Sequence, residues 1–257
     1  MPELFDTSMF SVLAAIAFSA GFIDAVAGGG GMLMIPALLS AGLPPHLALG
    51  TNKLAATFAS STAAITFYRK DLFSPNFWLK AGIATLFGAV FGTLIVNVID
   101  TDWLEKALPV LIIATALYTI FSPSITGRRD QLPEKTSRLR KTQISQGLAL
   151  GFYDGVAGPG TGAFWTVSTM SLYKLNMLLA TGVAKAMNFI SNITSLITFM
   201  ILGHVNWVLG LTMGICLMAG AFVGAHSAIR FGSRFIRPIF ITVVLVMSGK
   251  LAMDAWF

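Results

Sequence analysis

Four charged residues and two glycine runs are the groups in this chain whose types and spacing could do chemistry. Asp24 follows Gly21-Phe22-Ile23 and leads into Gly28, Gly29, Gly30 and Gly31, while Asp154 follows Gly151-Phe152-Tyr153 and leads into Gly158, Gly160 and Gly162. Lys53 and Lys185 each lie about six to eight residues into a long apolar segment, roughly 10 Å deep at about 1.5 Å per residue. Close to them stand the uncharged donors Thr51, Asn52, Asn188 and Asn192, the last two on one helix face. A glycine run lets several backbone N–H groups approach an anion without steric cost, as at helix N-termini and nests. An ammonium held in apolar sequence costs several kcal/mol unless it snorkels, pairs or lines a wet cavity.

The chemistry that uses all of these groups is the binding of a small anion. We therefore expect Gly28, Gly29, Gly30, Gly31, Asn52, Lys53, Gly158, Gly160, Lys185 and Asn188 to contact the substrate, against the alternatives of tight helix packing and interhelical hydrogen bonding. A bare carboxylate beside such a site would repel the anion. Asp24 and Asp154 are accordingly read as partners of a lysine or caps of the adjoining amides, with proton uptake as the competing role. Only Asp24 adjoins an unbroken four-glycine run, so it is expected to weigh more on function than Asp154.

Other chemistries lack their residues. No strand precedes the first glycine run and no Gly-Lys-Ser/Thr follows it, so nucleotide binding is not supported. Neither a Gly-x-Ser-x-Gly elbow nor a His-Glu-x-x-His pair occurs, which argues against an intramembrane enzyme. Cys216 is the only cysteine, and His226 has no Cys, Asp or Glu at ligand spacing, so neither a metal nor a cofactor is expected. His46 and His204 border loops and are read as solvated. Trp78, Trp103, Trp207 and Trp256 fall near segment ends, as in an aromatic belt, whereas Trp165, beyond the second glycine run, either lines the pathway or packs, with packing the favoured reading.

The elements that must position these groups are membrane helices. Of 257 residues, 55% are hydrophobic and 11% charged, where a soluble domain carries about 25% charge. Apolar stretches near the roughly 20 residues that cross a bilayer run over Phe10 to Ala27, Leu47 to Phe67, Phe77 to Ile99, Leu104 to Phe121, Thr142 to Ala157, Met177 to Leu202, Val205 to Ile229 and Phe235 to Ala252. Two shorter runs, Met32 to Ala41 and Ala163 to Leu172, read as half-helices or re-entrant arms. The first residues lack the basic region of a signal peptide, so the first segment is expected to stay as an anchor. The net charge of +6 comes largely from the basic stretch between Ser122 and Lys141, which reads as a cytoplasmic loop near anionic lipid and not as a nucleic-acid surface.

The chain repeats itself. Gly21 and Gly151 are 130 residues apart, Lys53 and Lys185 are 132 apart, and Gly88/Gly92 answer Gly220/Gly224 at a spacing suited to helix packing. We divide it into a first membrane repeat, 1–121, a basic linker, 122–142, and a second repeat, 143–257. Each repeat reads as a glycine-broken helix pair followed by three transmembrane helices. The broken pair ends on the side where it began, so each repeat crosses an odd number of times and the two must be inverted. Loop charge agrees: Asp100, Asp102 and Glu105 in one copy answer Arg230, Arg234 and Arg237 in the other. With Arg69, Lys70 and the linker inside, both termini face outward. The expected fold is thus an all-α integral membrane protein of two inverted-topology repeats, an organisation found in many secondary transporters. A passive anion channel would use the same lysines without alternating access.

Gly21 to Pro36, Thr51-Asn52-Lys53-Leu54, Gly151 to Gly160 and Lys185 to Asn188 together resemble the signature segments of the sulfite exporter TauE/SafE family, in particular its YfcA-like members. The resemblance covers nearly the whole length. It implies a multi-pass protein of the bacterial inner membrane that moves, as an exporter, sulfite, sulfonates or related organic anions by alternating access around a midplane site. A homo-oligomer is compatible with it. In the second copy Gly-Pro-Gly-Thr-Gly replaces the four glycines of the first, so the two halves of the site need not be alike.

Overall fold

The computed structural model describes residues 7–104, 106–108, 110, 114 and 129–232. Among them are eight helices: α1 (Thr7–Ala27), α2 (Gly30–Ser40), α3 (Pro45–Tyr68), α4 (Pro75–Val98), α5 (Ser137–Val156), α6 (Thr161–Tyr173), α7 (Met177–Ile201) and α8 (Trp207–Phe231). The segments expected over Leu104 to Phe121 and Phe235 to Ala252, the first part of the linker with Arg128, and Glu105, Arg234, Arg237 and Trp256 lie wholly or mainly outside the described residues. The fold is all-α among the described residues. Three of its helices, α1 (from Phe10), α4 and α8, are long and apolar enough to cross a membrane. Helices α3, α5 and α7 have 24, 20 and 25 residues but more polar sequences.

Local sequence explains where the helices start. Pro45 and Pro75 occupy first-turn positions, where a missing N–H costs nothing. Thr136, Asn176 and Asn206 cap α5, α7 and α8 by accepting from the amides of Leu139, Leu179 and Leu209 at 3.1, 2.8 and 3.1 Å. The glycine runs break the chain between α1 and α2 and between α5 and α6. At 11 and 13 residues, α2 and α6 reach only about 16 and 20 Å, short of a roughly 30 Å hydrocarbon core. Both fold back on the preceding helix. A Cβ on Gly30 would meet the carbonyl of Ala20, and Gln146 of α5 bonds Ser168 and Thr169 of α6.

Packing is cross-wise. The first helix of each half lies on the last described long helix of the other, α1 on α8 and α5 on α4, and α3 packs on α7. Gly88 and Gly92 admit α5, and Gly220 and Gly224 admit α1. A Cβ at any of the four would fall 2.0–2.5 Å from a backbone oxygen of the opposing helix. The packing role expected for these pairs is met. Outward faces are apolar, as Leu79, Ile83, Phe87, Phe91 and Val98 down one side of α4 illustrate. A lipid environment accounts for that stripe, because a monomer in water rarely shows so large a contiguous patch.

The two ends differ in charge. Arg129 joins Lys174 and Asn176 through backbone bonds, and Lys135 lies over the Phe77 ring, so the linker's end, the α6 terminus and the start of α4 share one basic face. Arg69 and Lys70 close α3 on that face, where Leu72 packs on Gly182. At the opposite end the histidines depart from the expectation that they are solvated. His46 and His204 stack at 5.3 Å; His46 Nε2–H donates to the Val96 carbonyl at 3.0 Å, and His204 Nε2 bonds Asn97 Oδ1 at 2.8 Å. The Gly203–Asn206 turn presses closely on Gly50, and both rings are half-buried and hydrogen-bonded to the protein instead of standing free in water. Trp78 also departs: it is buried against Tyr173, while Trp103 and Trp207 are exposed.

Burial, with the His46 ring second, holds the His204 pKa below its ordinary value. The folded protein therefore binds this proton less readily than the unfolded chain, so the stability it contributes is complete above about pH 6.5 and is lost as pH falls below that. The melting temperature in detergent should drop between pH 7 and pH 5, and His204→Gln should flatten the drop. An equally steep profile in His204→Gln would assign the loss to other groups.

Candidate anion site at the crossing of the two broken helices

The broken helices place four helix ends in the middle of the molecule. Two are C-terminal ends, α1 and α5, whose last carbonyls carry partial negative charge; two are N-terminal ends, α2 and α6, whose amides carry partial positive charge. Each lysine caps the C-terminal end contributed by the other half. Lys53 Nζ donates to the Asp154 carbonyl at 2.5 Å and lies 2.9 Å from Asp154 Oδ1; Asn192 Oδ1 is 3.3 Å away. Lys185 Nζ donates to the Asp24 carbonyl and lies 3.7 Å from Asp24 Oδ2. Both ammonium groups are sealed from solvent, with side chains 1% and 0% exposed. They do not snorkel, because pairing satisfies them where they are.

The carboxylates also reach the N-terminal ends. Asp24 Oδ1 accepts from the Gly30 amide at 3.2 Å, and Asp154 Oδ1 accepts from the Thr161 hydroxyl at 3.0 Å. Ser191 donates to Asp154 Oδ2. Asp154 thus has the denser set of partners, and its side chain is 4% exposed against 16% for Asp24. Asp154 is thus the more heavily engaged acid for folding stability, a separate matter from the functional order expected from the four-glycine run.

Glycine at the crossing permits backbone contact. Gly28 has φ +81°, and a Cβ on it would lie 2.4 Å from the carbonyl carbon of Gly162; a Cβ on Gly162 would in turn lie 2.6 Å from the Gly28 Cα. Gly158 sits against Asp154 Oδ1 and Lys53 Nζ, and Gly31 faces Pro159. Gly29 and Gly160 are the residues that precede α2 and α6, and as glycines neither supplies a capping side chain of its own, so at α2 the Asp24 carboxylate takes that place on the Gly30 amide.

Asn52 and Asn188 complete the cluster. Asn52 Nδ2 borders Gly31, and Asn188 Nδ2 borders Gly162, each beside the N-terminal turn of the short helix in its own half. The Oδ1 of both is buried without a hydrogen-bond partner, an expensive condition for a buried amide. The structure therefore gathers Asp24, Gly28, Gly31, Asn52, Lys53, Asp154, Gly158, Lys185 and Asn188 around one crossing. Gly29 looks instead onto Ile23 and Met32. Ser191 and Thr161 were not singled out by sequence reasoning; their spacing from Asp154 becomes meaningful only once α6 and α7 close on it. Among the described residues no cluster of three or more metal-ligating side chains occurs.

Known proteins resemble this chain over nearly its whole length. A family model described as the sulfite exporter TauE/SafE matches residues 13–251. The chain is 38% identical to a protein of Sinorhizobium named "Probable membrane transporter protein ORF9", over 96% of this chain and 93% of that one. It is 37% identical to a "Probable membrane transporter protein" of Haemophilus influenzae, over 97% of each. With YfcA of Escherichia coli K12, named in the same way, it shares 39% identity over 96% of this chain and 91% of that one. No solved structure matches it. The names of the family and of these relatives point to membrane transporters and not to enzymes. The chain belongs to the sulfite exporter TauE/SafE family of membrane proteins.

Proposed function

We propose that the protein is a secondary transporter that exports a small anion, of the class of sulfite, sulfonates and related organic anions, across the bacterial inner membrane. The observation that carries this reading is the reciprocal pairing of Lys53 with Asp154 and of Lys185 with Asp24, beside the N-termini of α2 and α6, each of which follows a glycine. The two ion pairs cancel, so the field an anion meets comes from the amide ends of α2 and α6 and from the Asn52 and Asn188 amides. An anion and a carboxylate compete for each ammonium. Protonating the carboxylate removes that competitor, which gives proton uptake a direct way to favour anion binding. The sealed lysines support a carrier in an occluded state over an open channel.

The reading includes inverted repeats, 1–121 and 143–257, joined by the linker 122–142, with both termini outside. Its support is that cross-contacts come in pairs: Lys53–Asp154 with Lys185–Asp24, and Gly50–His204 with Gly182–Leu72. Single cysteines at Ser8 and Thr136 in a Cys216→Ala background should label from opposite sides of the membrane with an impermeant thiol reagent. Labelling from one side sinks the inverted arrangement. For the site, sulfite binding to purified protein should weaken in Lys53→Gln and in Lys185→Gln by about 1.5–3 kcal/mol, typical of a charged hydrogen bond. Lys→Arg should rescue poorly, because a guanidinium is too broad for a position shaped around a point charge. Unchanged affinity in both Gln variants means the site lies elsewhere.

A further inference from the structure

The halves match at their centre and differ beside it. Positions 130 residues apart correspond, and at the crossing they agree: Asp24 with Asp154, Gly28 with Gly158. Away from the crossing, along the contact of the broken pair, they diverge. The α5–α6 side carries Gln143, Gln146, Trp165, Ser168, Thr169 and Tyr173. The residues 130 earlier, on α1, α2 and the turn after α2, are Leu13, Ile16, Ile35, Leu38, Leu39 and Leu43. Six polar or N–H-bearing side chains thus face six aliphatic ones across the same fold relation.

Four of the polar set, Tyr173, Gln146, Ser168 and Thr169, are joined into a seam by side-chain hydrogen bonds, with Gln143 and Trp165 beside it. Tyr173 donates its hydroxyl to Gln146 Oε1 at 2.8 Å; Gln146 Nε2 donates to Ser168 and Thr169 at 2.7 and 3.2 Å; Gln143 Nε2 donates to the Phe77 carbonyl at 3.1 Å. It runs between the basic face and the crossing. Tyr173 ends α6 beside Arg129, whereas Thr161, at the other end of α6, bonds Asp154. Trp165 lies one turn beyond Thr161 on the same side of α6, wholly buried, and its indole N–H has no acceptor. Trp78, stacked edge-on to Tyr173, has its indole nitrogen unpartnered too, and a cavity of about 40 Å³, with Asp71 and Ser74 among its lining, borders this tryptophan. A buried donor left without an acceptor costs about 1–3 kcal/mol, so a packing role alone favours Phe at both positions.

We infer that this seam is the anion's route between the basic face and the central lysines, with the Trp165 indole N–H as an oxyanion-binding step along it. The inference rests on the transport reading above. Neutral donors suit such a step, since they stabilise an anion in passing without holding it as an ammonium would. The six corresponding positions on the other side hold aliphatic side chains and no such donors, so the two approaches to the site are unlike.

Two measurements test it. In a Cys216→Ala background, Thr169→Cys should react with the anionic reagent ethylsulfonate methanethiosulfonate from the basic side at least tenfold faster than Leu39→Cys reacts from the other side, and faster than with the trimethylammonium analogue. Equal rates at Thr169→Cys and Leu39→Cys, or no reaction at Thr169→Cys, overturn the route. Trp165→Phe keeps the ring and removes the donor. It should raise the half-saturating sulfite concentration about fivefold on the basic side while leaving the melting temperature unchanged or higher; an unaltered half-saturation overturns the donor role. Sulfite flux of the unsubstituted protein in the same vesicles separates the two failures: flux with an unreactive Thr169→Cys condemns only the route, and absent flux condemns transport itself.

Discussion

Asp154→Asn should destabilise the protein by about 3–5 kcal/mol, the usual cost of leaving one member of a buried ion pair alone. The change strands the Lys53 ammonium, 1% exposed, and weakens what Asp154 offers to Ser191 and Thr161. Asp24→Asn should cost less, because Asp24 is 16% exposed and lies 3.7 Å from its lysine. Lys53→Met combined with Asp154→Asn should recover much of the loss, since an uncharged pair of similar volume needs no compensation. The double variant should nonetheless fail to move anions. Thermal unfolding in detergent at matched lipid content reads the stability series. A double variant no more stable than Asp154→Asn would show that the carboxylate acts mainly through the backbone of the loop and not through Lys53.

Gly28→Ala is the second large effect. An alanine there must hold φ +81°, at a cost of about 1–2 kcal/mol, and its methyl must displace the Gly162 backbone from 2.4 Å, an overpacking of about 1–3 kcal/mol more. The sum, roughly 2–5 kcal/mol, should show as a large loss of folded yield. Gly42→Ala is the control, with φ +85° but nothing within 4 Å of the added carbon, so it should bear the conformational cost alone. Similar losses in both would mean that the crossing tolerates separation and that backbone conformation is the only constraint.

Much of this site was legible in the sequence because it is written twice. The duplication of Asp24 and Lys53 as Asp154 and Lys185 marked the four charges, and the glycines marked where the helices break. Which acid meets which lysine was not legible. Lys53 pairs with a residue 101 positions away, and nothing in local spacing prefers that partner to Asp24 in its own half. The histidines misled for a related reason: a loop histidine is solvated unless a distant element covers it, and His46 and His204 cover each other. Trp78 looked like a belt residue from its place near a helix start, yet α4 turns that position toward Tyr173. The half-helices were recognisable by length, since apolar runs this short cannot span a bilayer. That they fold back became visible only through the Gln146–Ser168 contact and its counterpart at Gly30.

The central claim is that the crossing of the broken helices carries an anion across the membrane, and sulfite counterflow in proteoliposomes tests it most directly. Vesicles preloaded with unlabelled sulfite should take up labelled sulfite faster than empty ones, with saturation, and Lys53→Gln and Lys185→Gln should each abolish the stimulation while remaining folded. Uptake that is unsaturable and indifferent to internal sulfite, or stimulated uptake that survives in both lysine variants, would contradict the account.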